Sequence, residues 1–172
     1  MTATRHTVRV GVLATLDLGP PPVVLRRAAA DDLSAIVDLL AADQLGATRD
    51  GVQTPDDLAA YQKAFRAVDR DPAQLLVVAE AGHGIVATMQ LSFIPGLARR
   101  GALRAQIEAV RVHADYRSRG LGAAMFTWAI DEARRRGCAL VQLTTDKSRP
   151  AAHRFYERLG FVASHEGIKL AL

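Results

Sequence analysis

The chain has 172 residues, enough for one domain and one core, since domains commonly hold roughly 100 to 200 residues. Apolar residues make up 49% and charged residues 23%, with mean hydropathy +0.06, which excludes disordered, collagen-like and low-complexity architectures. The net charge of +4 and pI near 9.7 suit nucleic acid, a membrane surface or a phosphorylated small molecule, and charge alone does not choose among them.

Residues 1–22 have weak periodicity and end in Gly19-Pro20-Pro21-Pro22, so a flexible N-terminal extension is expected, with the domain occupying 23–172. Arg5 to Arg9 followed by Val10-Gly11-Val12-Leu13-Ala14 imitates a signal peptide, but Asp17 interrupts the apolar run and no cleavage site of small residues precedes the prolines. No stretch approaches the roughly 18 to 20 apolar residues that cross a bilayer, and a cytoplasmic protein is expected. The single cysteine, Cys138, fits a reducing compartment and reads as a small buried residue.

A short strand at 23–26 leads to Asp31-Asp32 as helix caps, then to Leu33, Ile36, Val37 and Leu40 at helical spacing. After a loop over 44–53, Thr54-Pro55-Asp56-Asp57 supplies a cap, a proline at the first helical position and acids in the first turn, and Leu58, Tyr61, Phe65 and Val68 continue a second helix. Leu75 to Glu80, the turn Ala81-Gly82-His83-Gly84, and the alternation of Ala87, Met89, Leu91 and Phe93 predict a hairpin with one buried face.

The strand over 102–112 carries an irregularity. Leu103, Ala105 and Ile107 occupy odd positions, whereas Val110 and Val112 occupy even ones, so the side-chain phase slips near Glu108-Ala109. Either a β-bulge absorbs the slip or Ala109 is simply a small inward residue. Leu121, Ala124, Met125 and Trp128 then mark a helix ending at Arg134-Arg135-Arg136-Gly137, with Met125 and Trp128 read as core. A buried strand over 139–145, a helix from Pro150 to Gly160, and two short strands at 161–163 and 168–172 complete the chain.

Arg117-Ser118-Arg119-Gly120-Leu121-Gly122-Ala123 lies between a strand and a helix. Its glycines admit close backbone approach, and the free amides and positive dipole end of the helix, with nearby arginines, favour an anion such as pyrophosphate. A Walker A loop would need Gly-Lys-Ser/Thr, and a dinucleotide fingerprint would need a small residue where Met125 stands. The plainer alternative is a helix start with solvated arginines. His6, His83, His113, His153 and His165 have no metal-ligand spacing, so no metal site is expected, and His165 is a candidate for the acceptor pocket.

The run Val110 to Ala124, with Arg117, Gly120 and Gly122, resembles the acetyl-coenzyme A motif (Arg/Gln-x-x-Gly-x-Gly/Ala) of the GCN5-related N-acetyltransferases (GNAT). Ala152-His153-Arg154-Phe155-Tyr156-Glu157-Arg158-Leu159-Gly160-Phe161 resembles the same family's helix ending in Phe-Tyr followed by Gly-Phe. The resemblance covers 23–172. It implies an α/β fold with a mixed, mostly antiparallel sheet splayed between its fourth and fifth strands, here 102–112 and 139–145, flanked by about four helices. Acetyl-coenzyme A would be the acetyl-donating co-substrate, held by Val110, Arg111, Val112, Arg117, Ser118, Arg119, Gly120, Leu121, Gly122 and Ala123.

The resemblance further makes Tyr156 the general acid for the departing thiolate and Glu108 either the base for the amine or an anchor for its ammonium. Arg149 stands where many relatives carry an asparagine that contacts coenzyme A and is counted with the cofactor residues; Ala87 replaces a frequent glycine. Arg149 with Ser164-His165 resembles the aminoalkylphosphonate acetyltransferase subgroup. The expected activity is acetyl transfer to a primary amine of a small molecule by direct attack in a ternary complex, without nucleic acid or membrane, and compatible with a homodimer. The alternatives are a protein lysine or N-terminal acetyltransferase, a basic nucleic-acid-binding domain and a non-catalytic acyl-coenzyme A sensor. Acceptor choice is expected to reside in the connections 44–53 and 93–100.

Overall fold

The computed structural model describes residues 11–43, 49–82 and 84–171. Its elements are β1 (Val12–Leu16), β2 (Val23–Arg27), α1 (Leu33–Ala41), α2 (Pro55–Arg70), β3 (Gln74–Ala81), β4 (Gly84–Ile94), α3 (Ala98–Gly101), β5 (Arg104–Val112), α4 (Leu121–Arg135), β6 (Leu140–Leu143) and α5 (Pro150–Arg158). The six strands form one sheet in chain order, antiparallel throughout except for the parallel pair β5 and β6. This is the expected α/β class with a mostly antiparallel sheet. No helix among the described residues is long and apolar enough to cross a membrane.

Alternation along the strands sorts side chains onto two faces, and each face is covered by helices. On one, Leu25, Val77, Met89, Leu91, Ala105 and Ile107 pack with Leu121, Met125, Phe126 and Ala129 of α4. On the other, Val78 packs with Ile36 of α1 and Ala28, and Phe65 of α2 adds to them. Helix α2 begins as its sequence predicts. The Thr54 hydroxyl accepts from the Asp57 amide, and the Asp57 carboxylate accepts from the Thr54 amide, closing a reciprocal cap ahead of Pro55.

Four expectations are corrected. Residues 1–22 do not all lie outside the fold, because Val12–Leu16 pairs with β2 as the sheet's edge strand. Proline fixes the chain only from residue 20 onward, so the preceding five-residue alternation remains free to join a ladder. Asp32 does not cap α1 with its side chain. Its carboxylate accepts two hydrogen bonds from the Arg26 guanidinium, at 2.7 and 2.8 Å, and one from the Ala29 amide at 2.7 Å, and a 3-10 turn over Ala30–Asp32 precedes the helix.

The two closing strands are also not formed: residues 161–171 have no regular structure, and Val162, Ile168 and Leu170 are exposed. A strand exists through pairing. Neither segment pairs with a strand among the described residues, and Lys147 meets Glu166 at 2.9 Å on the exposed surface of this tail. Cys138, finally, is half-buried at the C-terminal end of α4, where burial raises its thiol pKa.

Candidate functional site

The phase slip in β5 is a bulge. Gln90 faces Glu108 and Thr88 faces Arg111, so Ala109 and Val110 together oppose Met89. Ala109 takes φ +52°, in the left-handed region. The extra residue restores the buried face: Ile107 before it and Val110 and Val112 after it all pack against the same core. Glu108 and Arg111 consequently share the opposite face with their partners Gln90 and Thr88, the face on which α1 lies.

On its other edge β5 loses its neighbour at the same point. The ladder to β6 runs from Arg104–Leu140 to Ile107–Leu143 and stops, while β5 continues to Val112. Gln142 donates to Gln106 at 2.6 Å just before the strands part. The expected splay is therefore present, and it leaves the backbone edge of residues 108–112 without a neighbouring strand, so that an extended ligand can lie along it.

After β5 the chain makes a 3-10 turn over Ala114–Tyr116, with the His113 side chain accepting from the Asp115 amide. Arg117 Nε donates to the Val112 carbonyl at 3.0 Å, which folds the loop back over the strand end. Ser118 and Gly120 both take positive φ, +58° and +83°, and Gly120 is the residue from which α4 starts. The first bond of α4 runs from the Ala124 amide to the Gly120 carbonyl at 2.9 Å. The amides of Leu121, Gly122 and Ala123 thus lie in a first turn that has no intrahelical acceptors to offer them. Arg119 sits over the Tyr116 ring, 5.8 Å from its centroid. An exposed edge strand, a left-handed helix start with free amides and two exposed arginines fit an extended arm ending in a pyrophosphate.

Tyr156 comes from α5, whose apolar face locks onto α4. The rings of Phe126, Phe155, Tyr156 and Phe161 meet edge to face, with centroids 5.3 to 6.1 Å apart. Phe126 is fully buried, so the Tyr156 ring is referenced to the same helix that begins at Gly120. Burial raises the Tyr156 pKa, and the Arg149 and Arg111 charges oppose that rise. The phenol keeps its proton at neutral pH and lies within reach of two guanidinium fields.

Those two arginines converge on a residue that sequence reading missed. Asp43, just beyond the end of α1 and only 8% exposed, lies 3.2 Å from Arg149 Nη2 and 3.4 Å from Arg111 Nη2. Its position at the edge of a loop gives no sequence signal, because its partners stand 68 and 106 residues away. Arg149, expected among the cofactor residues, has its guanidinium on Asp43. Part of the expected specificity connection, 44–48, lies outside the described residues; the other, between β4 and β5, holds Leu97, 98% exposed, and Arg99 and Arg100 at positive φ. His165 is exposed and contacts the Ser164 hydroxyl at 2.8 Å.

With this geometry in place, the comparisons with known proteins decide the family. The model of the acetyltransferase (GNAT) family matches residues 35–161, from α1 through the bulge and the α4 loop to Phe161. The chain belongs to that family. Among curated relatives, it is 38% identical over 60 residues to an aminoalkylphosphonate N-acetyltransferase of Salmonella typhimurium, covering 35% of this chain and 39% of that one. It is 40% identical over 57 residues to an uncharacterized N-acetyltransferase of Methanocaldococcus jannaschii, covering 33% of this chain and 25% of that one. These matches span well under half of either relative.

Among solved structures, a protein of Bacillus halodurans described as a transcriptional regulator aligns with TM-score 0.83 and 45% identity over 87% of this chain and 99% of its own. A putative acetyltransferase of Agrobacterium tumefaciens aligns with TM-score 0.74 and 31% identity over 86% and 99%. The GNAT assignment agrees with the resemblance carried by Arg117, Gly120 and Gly122 and by the Phe155-Tyr156 helix.

Proposed function

We propose that the protein transfers the acetyl group of acetyl-coenzyme A to a primary amine of a small molecule, by direct attack with both substrates bound. The observation that carries this reading is the coincidence, at one place on β5, of the Ala109 bulge and the end of β6 pairing, leading directly into the free amides at the start of α4. Acetyl-coenzyme A supplies the activated thioester. The backbone of Val110, Arg111 and Val112 would hold its pantetheine arm, and the loop Arg117, Ser118, Arg119, Gly120, Leu121, Gly122 and Ala123 would hold its pyrophosphate through amides and exposed guanidinium groups.

Glu108 stands at the residue before the bulge, exposed, on the face that carries Arg111. An amine is mostly protonated at neutral pH, so Glu108 accepts its proton directly or through water. Amides fixed by the bulged backbone donate to the oxygen on which charge develops, at no reorganisation cost during attack. Tyr156, held by its aromatic neighbours with its proton in place, donates to the departing sulfur. The half-buried Cys138, its pKa raised, has no part in a direct attack.

The similarity to an aminoalkylphosphonate N-acetyltransferase supports a small amine as acceptor. The similarity to a protein described as a transcriptional regulator raises nucleic-acid binding as the competing reading. Against it, Arg135 and Arg136, the centre of the basic cluster on α4, are both held by Glu132 at 2.7 Å.

A thermal melt with and without acetyl-coenzyme A tests the donor, since a ligand at about a hundred times its Kd stabilises the fold by roughly 2.7 kcal/mol. Thiol release with an amine panel then tests transfer. No melt shift together with salt-dependent DNA binding would replace the acetyltransferase reading with the regulatory one.

A further inference from the structure

We propose that the hydrogen-bonded pair of Gln106 and Gln142 is the floor of the acyl pocket, and that it makes the enzyme selective for acetyl over longer acyl groups on coenzyme A. This rests on the acetyl-transfer reading for the identity of the donor, but the floor itself rests on the following arrangement.

Strand β5 runs from Arg104 to Val112 and leads through its loop to the start of α4. A coenzyme A whose pyrophosphate lies at that start, with its pantetheine arm along residues 110–112, therefore points its thioester end back along β5, toward the place where β6 leaves. That place is closed. The last residue pairs before the strands part are Gln106–Gln142 and Ile107–Leu143, and strand alternation sends them to opposite faces. Ile107 is buried in the core under α4, and Leu143 packs against the same core. Gln106 is the next residue down β5 on the face of Glu108, and Gln142 Nε2 donates to its Oε1 at 2.6 Å. An acyl group beside the bulge thus ends against two carboxamides joined across the vertex of the splay.

Neighbouring strands hold this floor in place. Gln106 is 8% exposed and lies opposite Ser92 on β4, which is equally buried. The Ser92 hydroxyl donates to Gln74 Oε1 at 2.7 Å, and Gln90 Nε2 donates to the same oxygen at 3.0 Å. A belt of polar side chains therefore crosses from β3 to β6 beside Glu108, where apolar residues would otherwise complete the sheet face. Buried carboxamides are stable only while bonded, since a lost partner leaves a desolvated donor or acceptor. An acetyl group ends in one methyl and needs no movement of the pair. Each further methylene would press on the carboxamides or part the Gln106–Gln142 bond, and an apolar chain replaces none of the hydrogen bonding it disrupts.

The test presents acetyl-, propionyl- and butyryl-coenzyme A to wild type, Q142A and Q142N, and measures binding by calorimetric titration apart from turnover by thiol release. Because Gln142 is half-buried, both substitutions should leave the fold intact, and a melt checks this. Asparagine keeps a carboxamide but is shorter by a methylene, so Q142N is the milder opening. The expected result is that wild type favours acetyl over butyryl in binding and in kcat/KM, and that Q142A shifts the ratio toward butyryl about tenfold, with Q142N in between. Affinity for coenzyme A without an acyl group should stay within about threefold, which separates a floor from a general loosening of the sheet. Equal binding of the three thioesters by wild type would overturn the proposal, and so would a ratio that neither variant moves. A loss in Q142A that falls equally on bare coenzyme A and on every thioester would also overturn it, by making Gln142 a structural residue. Length-selective binding relaxed in Q142A, with no thiol release from any amine, would uphold the floor and refute acetyl transfer, so the two readings fail separately.

Discussion

Removing the Tyr156 hydroxyl while keeping its ring separates chemistry from packing. In Tyr156→Phe the edge-to-face contacts with Phe126, Phe155 and Phe161 at 5.3 to 6.0 Å are retained. Stability should therefore change by less than about 1 kcal/mol, whereas Tyr156→Ala would lose the aromatic body and cost roughly 2 to 4 kcal/mol at a partly buried site. Burial raises the pKa of the phenol, so the proton it contributes is present throughout the neutral range. Loss of a positioned general acid costs about 10²- to 10⁴-fold in rate. A leaving thiolate needs less protonation than a leaving amine, which places the expected loss in kcat nearer the lower end, about 10² to 10³, or roughly 3 to 4 kcal/mol of barrier. Acetyl-coenzyme A affinity, measured by titration, should move less than about threefold because the pyrophosphate cradle is untouched. A Tyr156→Phe enzyme with wild-type kcat would refute the acid role, and a loss expressed wholly in acetyl-coenzyme A binding would refute the division of labour between α4 and α5.

Other substitutions probe the remaining parts. Glu108→Gln at an exposed position should leave the melting temperature unchanged and lower kcat by about 10² at neutral pH, with recovery as pH rises and free amine accumulates; a pH-independent loss would mark Glu108 as an anchor. Gly120→Ala forces a Cβ into φ +83° and should cost about 1 to 2 kcal/mol while weakening acetyl-coenzyme A binding, read by melts with and without the ligand. For Asp32, burial raises the carboxyl pKa, but the Arg26 guanidinium and the Ala29 amide outweigh it and hold the folded-state value below 3.8. The stability this provides is present above the unfolded-state value and is lost as pH falls through the folded one. Asp32→Asn should therefore lower stability by about 1 to 3 kcal/mol near neutral pH, and the gap to wild type should close in acid.

Much of the site was legible because its signals are local. A loop of the form Arg117-x-x-Gly120-x-Gly122 declares a helix start that presents amides, and the change from odd to even apolar positions locates an irregularity at Glu108-Ala109. The slip left two readings open, and pairing with β4 decided them: Met89 faces two residues, so Ala109 is extruded rather than turned inward. Edge membership was less legible. The five residues of β1 carry only a weak alternation, and what makes them a strand is the unpaired edge of β2. The converse holds at the other end, where residues 161–163 and 168–171 have strand-like composition yet stay unpaired, although β6 presents an open edge among the described residues.

By itself, the sequence determined the four longer helices and the cap of α2, the alternation of the central strands, the phase slip and the two motifs that place the chain among the acetyltransferases. Each of these is a periodicity or a spacing within about fifteen residues, the range over which backbone geometry repeats. Only the tertiary structure decided which faces the helices cover, where β5 and β6 part, and that Asp43 meets Arg111 and Arg149. Charge pairing across 68 and 106 residues leaves no periodic trace in a chain, because it depends on where three separately formed elements come to rest after the core has closed.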